Sequence, residues 1–189
     1  MVFFMDIRAL HAQALQSTHR FVAAVGADQW EAPTPCEKWN VRQVVNHLVA
    51  GNLWVHELGN GRTIEEVGTA LDGDLLGDDP AAAHEASVEA AIKAFAAHDA
   101  MERLWPLSYG DRPGRVYARQ RFVDVLVHGW DVGRAVGEEP RLPAGLVDAC
   151  LELFGSRPQM FAQWGFADVA TEPGADPQTR LLALTGRRP

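Results

Sequence analysis

The stretch RFVDVLVHGWDVGRA at residues 121–135 constrains this chain more than any other. At 100° per residue it winds into a helix in which Phe122, Val123, Leu126, Val127 and Trp130 take up most of the circumference. A surface helix shows the reverse proportions, a narrow apolar stripe against a broad polar face, so this helix is expected to be buried on several sides. Asp124, His128, Asp131 and Ala135 nevertheless fall on one narrow stripe of it, flanked by Arg121 and Tyr117. A polar column on a buried helix needs a reason.

The remaining segments supply partners for such a helix. Met5 to Val25 has helical spacing through Ile7, Leu10, Ala14, Phe21 and Val25, with Gly26 placed as its C-cap. After a turn stiffened by Pro33 and Pro35, Asn40 and Gln43 form a capping-box pair, and the second helix runs on to Leu58. Residues 59–79 are rich in Gly and Asp, and a connection of this length reads as a lid or a crossover. Asp79 and Pro80 then form an N-cap and first-turn pair for a third helix reaching Trp105, before Pro106. The turn SYGDRPG leads into the fourth helix, Val116 to Val136, closed by Gly137. A fifth, shorter helix starts at Pro143 and runs through Phe154, and the segment from Val169 reads as an irregular or extended tail ending in one helical turn. No alternating strand pattern competes. The chain therefore reads as all-α, a four-helix bundle over about 5–155 with a long crossover connection and a short C-terminal extension over about 156–189, in a single domain.

Composition narrows the class of partner. Seventeen basic against twenty-five acidic residues give a formal charge of -8, and no basic cluster is present, which argues against nucleic acid. The opening MVFFMDIR lacks the form of a secretory signal, and the apolar runs are interrupted by Asp, His or Arg, so no membrane span is expected. Cys36 and Cys150 are too far apart to suggest a disulfide scaffold or a zinc knuckle, and a reducing cytoplasm fits. A cytoplasmic protein, monomer or homodimer, acting on a small molecule is the expectation.

Asp124 and His128, four residues apart, have Cβ atoms about 5–6 Å from each other and can reach one ion. The bland alternative is a solvated face on which Asp124 pairs with Arg121. A further ligand must come from another element, and the second helix offers His47 and His56, between which spacing does not choose. Gly51, one turn from His47, leaves room beside it. His11, His19, His84 and His98 sit among Ala, Gln, Ser and Glu on faces that read as surface. Cys36, just before a helix N-terminus, is either an activated thiol or, by preference, a small buried hydrophobe in a Pro-rich turn; Cys150 reads as packing. Asp131 either accepts from His128 or pairs with Arg134.

TPCEKWNVRQVVNHLVAGN at residues 34–52, RFVDVLVHGWDVGRAVG at 121–137 and RLLALTGRRP at the end together resemble an actinobacterial group of metal-binding proteins. The group lies within the mycothiol-dependent maleylpyruvate isomerase N-terminal-like and DinB-like superfamily. The resemblance implies a DinB-like four-helix bundle holding a divalent metal, usually zinc. Carried onto matching positions, the ligands are His47, Asp124 and His128. It favours His47 over His56, and it places an aspartate where the isomerase has a glutamate. It further implies an enzyme of the isomerase or S-transferase type that uses mycothiol, a low-molecular-weight thiol, as co-substrate. The alternatives are metal-assisted chemistry of secondary metabolism without a thiol, and a non-catalytic protein binding a metal or small ligand.

Overall fold

Side-chain caps set the start of three of the four long helices in the computed structural model, which describes residues 6–154, 169–171 and 174–188. Helix α1, Ile7–Ala23, starts where the Asp6 carboxylate accepts from the Arg8 amide. It ends at Ala24 rather than at the expected Gly26, whose amide is bonded instead by the Gln29 side chain at 2.9 Å. The expected first helical residue, Met5, lies outside the described residues. In α2, Val41–Gly59, both halves of the capping box form: the Gln43 amide donates to Asn40 Oδ1 at 2.9 Å and the Asn40 amide to Gln43 Oε1 at 3.0 Å. Asp79 caps α4, Pro80–Ala96, with Pro80 in its first turn.

The connection between α2 and α4 holds a single helical turn, α3, Ile64–Val67, and is tied down on α2. Asn46 donates to the Gly73 carbonyl at 2.9 Å and accepts from the Leu75 amide at 2.8 Å. Arg42 reaches Asp74 at 2.7 Å and the Gly77 carbonyl at 3.1 Å. It is a crossover strapped to α2 over residues 73–77.

The third helix stops at Ala96, nine residues short of the expected end at Trp105. Ala97 turns extended, and the chain reverses to pair β1, Leu104–Trp105, antiparallel with β2, Arg112–Pro113. The reversal carries Ala100, Met101 and Trp105 into the core, and the Trp105 indole donates to the Ala100 carbonyl at 2.8 Å. Burial of these residues outweighs the modest helix propensity of the HDAMER segment. Helix α5 then runs Gly114–Ala135.

Helix α1 packs against α4 and α5, and α2 against the same two, so the bundle is a ring in the order α1, α4, α2, α5. Between α1 and α5 the approach is close: a Cβ on Gly129 would lie 2.2 Å from Thr18 Oγ1, and the Thr18 hydroxyl donates to the Val125 carbonyl at 2.9 Å. Glycine at 129 thus turns one face of α5 onto α1 and leaves the Asp124, His128 and Asp131 stripe toward α2 and the loops.

Helix α6, Ala144–Phe154, is as expected. The tail is not. Asp176 caps a two-turn helix, α7, Pro177–Leu184, with Leu181 and Leu182 fully buried in the same core as the bundle. Residues 156–168, 172–173 and 189 of the expected extension lie outside the described residues, as does residue 155 of the expected bundle. Among the described residues no helix is long and apolar enough to cross a membrane.

Candidate metal centre

His47 on α2 and the Asp124 and His128 pair on α5 meet across the seam between the two helices. His47 Nε2 lies 3.2 Å from both Asp124 carboxylate oxygens, and His128 Nε2 lies 3.6 Å from Asp124 Oδ1. One donor atom from each of the three residues falls within 4.8 Å of the others. His47 is partly exposed, Asp124 less so and His128 is buried, so the cluster opens on the His47 side. His56, the other candidate on α2, bonds to Asn60 at 3.1 Å and takes no part.

Each of the three is held by its surroundings. His128 Nδ1 lies 2.9 Å from Asp131 Oδ2, which turns Nε2 toward Asp124. Asp131, fully buried, is gripped in turn by Arg187, Nε to Oδ1 at 3.0 Å and a terminal nitrogen to Oδ2 at 2.6 Å. Of the two roles open to Asp131, the first is the one observed, and its cation is Arg187 from the tail instead of Arg134. Trp39, in the turn before α2, lays its ring against His47 and His128, with centroids 4.8 and 5.7 Å away.

Arg121 does pair with Asp124, at 2.7 Å, yet in the interior and not on a solvated face. Its guanidinium fills the space over Gly51: a Cβ there would stand 2.3 Å from Arg121. The room next to His47 that Gly51 provides therefore serves Arg121. The second guanidinium nitrogen reaches Asn52 Oδ1 at 3.3 Å, and Asn52 donates to Ser87 at 3.1 Å, continuing the polar seam into α4. Burial pushes the Asp124 carboxyl up, but Arg121, His47 and His128 together outweigh it and hold the group well below the ordinary carboxylate range. Asp131 behaves alike: burial raises it, and His128 and Arg187 bring it down.

Cys36 is half-buried in the turn that Thr34 organises, the Thr34 hydroxyl donating to the Trp39 carbonyl at 2.7 Å. Its sulfur comes within 4.8 Å of donor atoms of His128 and Asp131, a second grouping with metal-ligand chemistry. Both Asp131 oxygens are already engaged, and burial pushes the thiol up, against the helix-terminus effect.

Two histidines read as surface prove to be core. His11 and His84 are fully buried, His11 edge-on to Phe95 at 5.1 Å and His84 stacked on His19, with Nδ1 atoms 3.1 Å apart. Ala and Ser beside them are small because helices pack closely there: Ala14, Ser87 and Ala91 are buried too. Burial lowers both histidines to about 3, helped by Arg121 for His11 and by His19 for His84. His98 is exposed.

A groove of about 420 Å³ adjoins the cluster, lined by Trp39, Arg42, Gln43, Asn46, His47 and the strapped connection at Gly73 and Asp74. That volume lies in the range of small-molecule sites.

The model of one protein family, the mycothiol maleylpyruvate isomerase N-terminal domain, matches residues 11–133, which take in α1 to α5 apart from its last two residues and the start of α1. Two relatives from Mycobacterium tuberculosis are the uncharacterized protein MT0763 of strain CDC 1551 / Oshkosh and the uncharacterized protein Rv0738 of strain ATCC 25618 / H37Rv. Each is 32% identical over 193 residues, covering 97% of this chain and 98% of the relative. No solved structure matches.

Proposed function

The chain belongs to the mycothiol maleylpyruvate isomerase N-terminal domain family, and from that premise we propose that it is a divalent-metal-dependent enzyme of the thiol-using isomerase or S-transferase type. His47, Asp124 and His128 hold the metal, zinc foremost, and mycothiol is the thiol. The observation that carries this reading is the donor spacing. Zinc bonds of about 2.0–2.2 Å at tetrahedral angles put ligand atoms about 3.3–3.6 Å apart. The Asp124 carboxylate stands 3.2 Å from His47 and 3.6 Å from His128, before any rotamer adjustment. Two imidazoles and one carboxylate are also the donor set of zinc sites that keep an open fourth position.

A zinc ion in such a site stabilises a thiolate or hydroxide at neutral pH by direct coordination. The rest falls to the protein. Arg121 occupies Asp124 Oδ2 and leaves Oδ1 as the donor oxygen, while its positive charge adds to the site's attraction for an anionic sulfur. Asp131 keeps a proton on His128 Nδ1 and Nε2 free as a donor atom. Trp39 covers the outer side of both imidazoles, and the groove beside His47 gives the non-sulfur part of the thiol a polar wall in Gln43 and Asn46. Cys36 has no step, since the incoming molecule brings the sulfur.

Cobalt substitution tests the proposal. Cobalt-loaded protein is expected to develop a sulfur-to-cobalt charge-transfer band on addition of mycothiol, His128→Ala to lose both metal and band, and Cys36→Ser to retain both. A cobalt-loaded protein that shows no such band with mycothiol or other low-molecular-weight thiols refutes the thiol chemistry.

A further inference from the structure

The two columns that meet at the donor cluster continue along the seam. On α2 His47, Gly51, Trp54 and Leu58 follow at helical spacing, and on α5 the facing order is His128, Asp124, Arg121 and Tyr117. Beyond Arg121 the columns part around a separate cavity of about 210 Å³, walled by Trp54 and Leu58, by Ile64 of α3, by Leu107 and Tyr109 of the β1–β2 connection, and by Tyr117.

None of its lining residues carries a charge. Arg121, the nearest cation along the α5 column, gives its terminal nitrogens to Asp124 and Asn52. Arg112 stands over Tyr109 at the rim, so an anion carried to the inner wall at Tyr117 would leave that cation behind and lie among uncharged side chains, which is costly. Size is equally restrictive, since pockets for drug-sized molecules start at about 300 Å³. The walls are set in place: the Tyr117 ring is wedged against Phe95 and Trp105 at 5.7 Å from each, and Tyr109 is pinned by a hydrogen bond to Gln120 and by the Arg112 guanidinium 5.6 Å from its ring centroid. Tyr109 is 49% exposed, which marks the rim and the way in. Among the described residues neither the Tyr117 hydroxyl on α5 nor the Trp54 indole N–H on α2 makes a hydrogen bond, and of the two the hydroxyl lies nearer the inner, Arg121 end of the α5 column. Burial pushes its pKa up to about 12 against the pull of Arg121, and it remains a donor at neutral pH.

We infer that this cavity binds a neutral, planar, apolar molecule of single-ring size with one hydrogen-bond acceptor, which takes the Tyr117 hydroxyl as its donor. The seven residues from Tyr117 to Asp124 span about 10 Å of helix, and Arg121, packed over Gly51, fills the seam between them, so the cavity is a site apart from the donor cluster. The binding does not rest on the proposed metal chemistry.

Benzamide, benzoate and toluene serve as probes on the metal-free, full-length protein, followed by nitrogen-15 correlated NMR. Benzamide is expected to shift the Trp54 indole and the Ile64 and Leu107 amides saturably, and benzoate to leave them unmoved. Tyr117→Phe should weaken benzamide about fivefold and leave toluene unchanged, the loss of one neutral hydrogen bond. Ile64→Trp, which fills the mouth from a partly exposed position, should remove both. Benzoate binding as tightly as benzamide, shifts centred elsewhere, or a Tyr117→Phe effect equal for toluene and benzamide overturns the inference. Protein that takes cobalt at the donor cluster but not benzamide also overturns it. Protein that takes benzamide but no cobalt upholds the cavity and sinks the metal reading alone.

Discussion

Asp131→Asn removes one charge from a pair that is almost wholly shut off from solvent. Asp131 is 0% and Arg187 5% exposed, and the two are joined by contacts of 3.0 and 2.6 Å, so the substitution leaves a guanidinium buried beside a neutral amide. Breaking a buried pair on one side costs about 3–5 kcal/mol. In a domain of this size each kcal/mol lowers Tm by about 2–4 °C, which makes the expected drop about 6–20 °C. Arg187→Met should cost a similar amount, since the buried carboxylate then keeps only its hydrogen bond with His128. The double variant should cost clearly less than the sum of the two, because neither member of the pair then stays charged without the other. The amide also fails to hold His128 Nδ1 in the donating state, and metal affinity at the proposed centre should fall about 10–100-fold. Thermal unfolding of the three variants and a competition titration with a chromogenic chelator measure both effects. Single variants within 1 kcal/mol of the parent, or strictly additive losses, would refute the idea that the tail is locked to α5 by buried charge.

Three other outcomes are expected. His11 and His84 are neutral when folded, lowered to about 3 from 6.5, so the unfolded chain binds more protons below 6.5 and stability falls as the pH drops from 6.5 toward 3. The loss should reach about 4 kcal/mol at pH 5 for the pair and be roughly halved in His11→Phe, measured by urea unfolding at several pH values; an unchanged pH slope in the variant would contradict it. Gly51→Ala places a Cβ 2.3 Å from Arg121, must displace the guanidinium from Asp124, and should destabilise by about 1–3 kcal/mol in denaturant, against little change for a solvent-facing helix glycine such as Gly145. Chelation should lower Tm without loss of helical circular dichroism at 25 °C, because the core of this bundle is built without the ion; collapse of the helical signal would give the metal a structural role.

Local signals in the sequence were enough for the helices that begin at caps. Asn40 with Gln43, and Asp79 with Pro80, carry their own hydrogen-bonding instructions, and the structure begins α2 and α4 there. The i, i+4 spacing that lines up Asp124 and His128 is likewise a property of any helix. Nothing local marks which of His47 and His56 faces α5, since that depends on the rotation of α2 about its axis, set by packing; the family pattern singled out His47. Helix propensity alone carries the third helix past its end because it is local, whereas the burial of Met101 and Trp105 that ends it at Ala96 arises only when α5 is present to cover them. The same kind of reason hides His11 and His84, whose Ala- and Ser-rich neighbours suit a tight helix contact as well as a surface. Arg187 lies 56 residues from Asp131, in a tail with weak periodicity, and no spacing rule connects them. Sequence by itself determined where α2 and α4 begin and the polar stripe on α5, because these depend on backbone geometry and nearest neighbours. Only the tertiary structure decided that Arg121 lies over Gly51, that Arg187 closes on Asp131 and that His47 reaches Asp124, because a buried charge selects its partner by distance in space, which the order of residues does not encode.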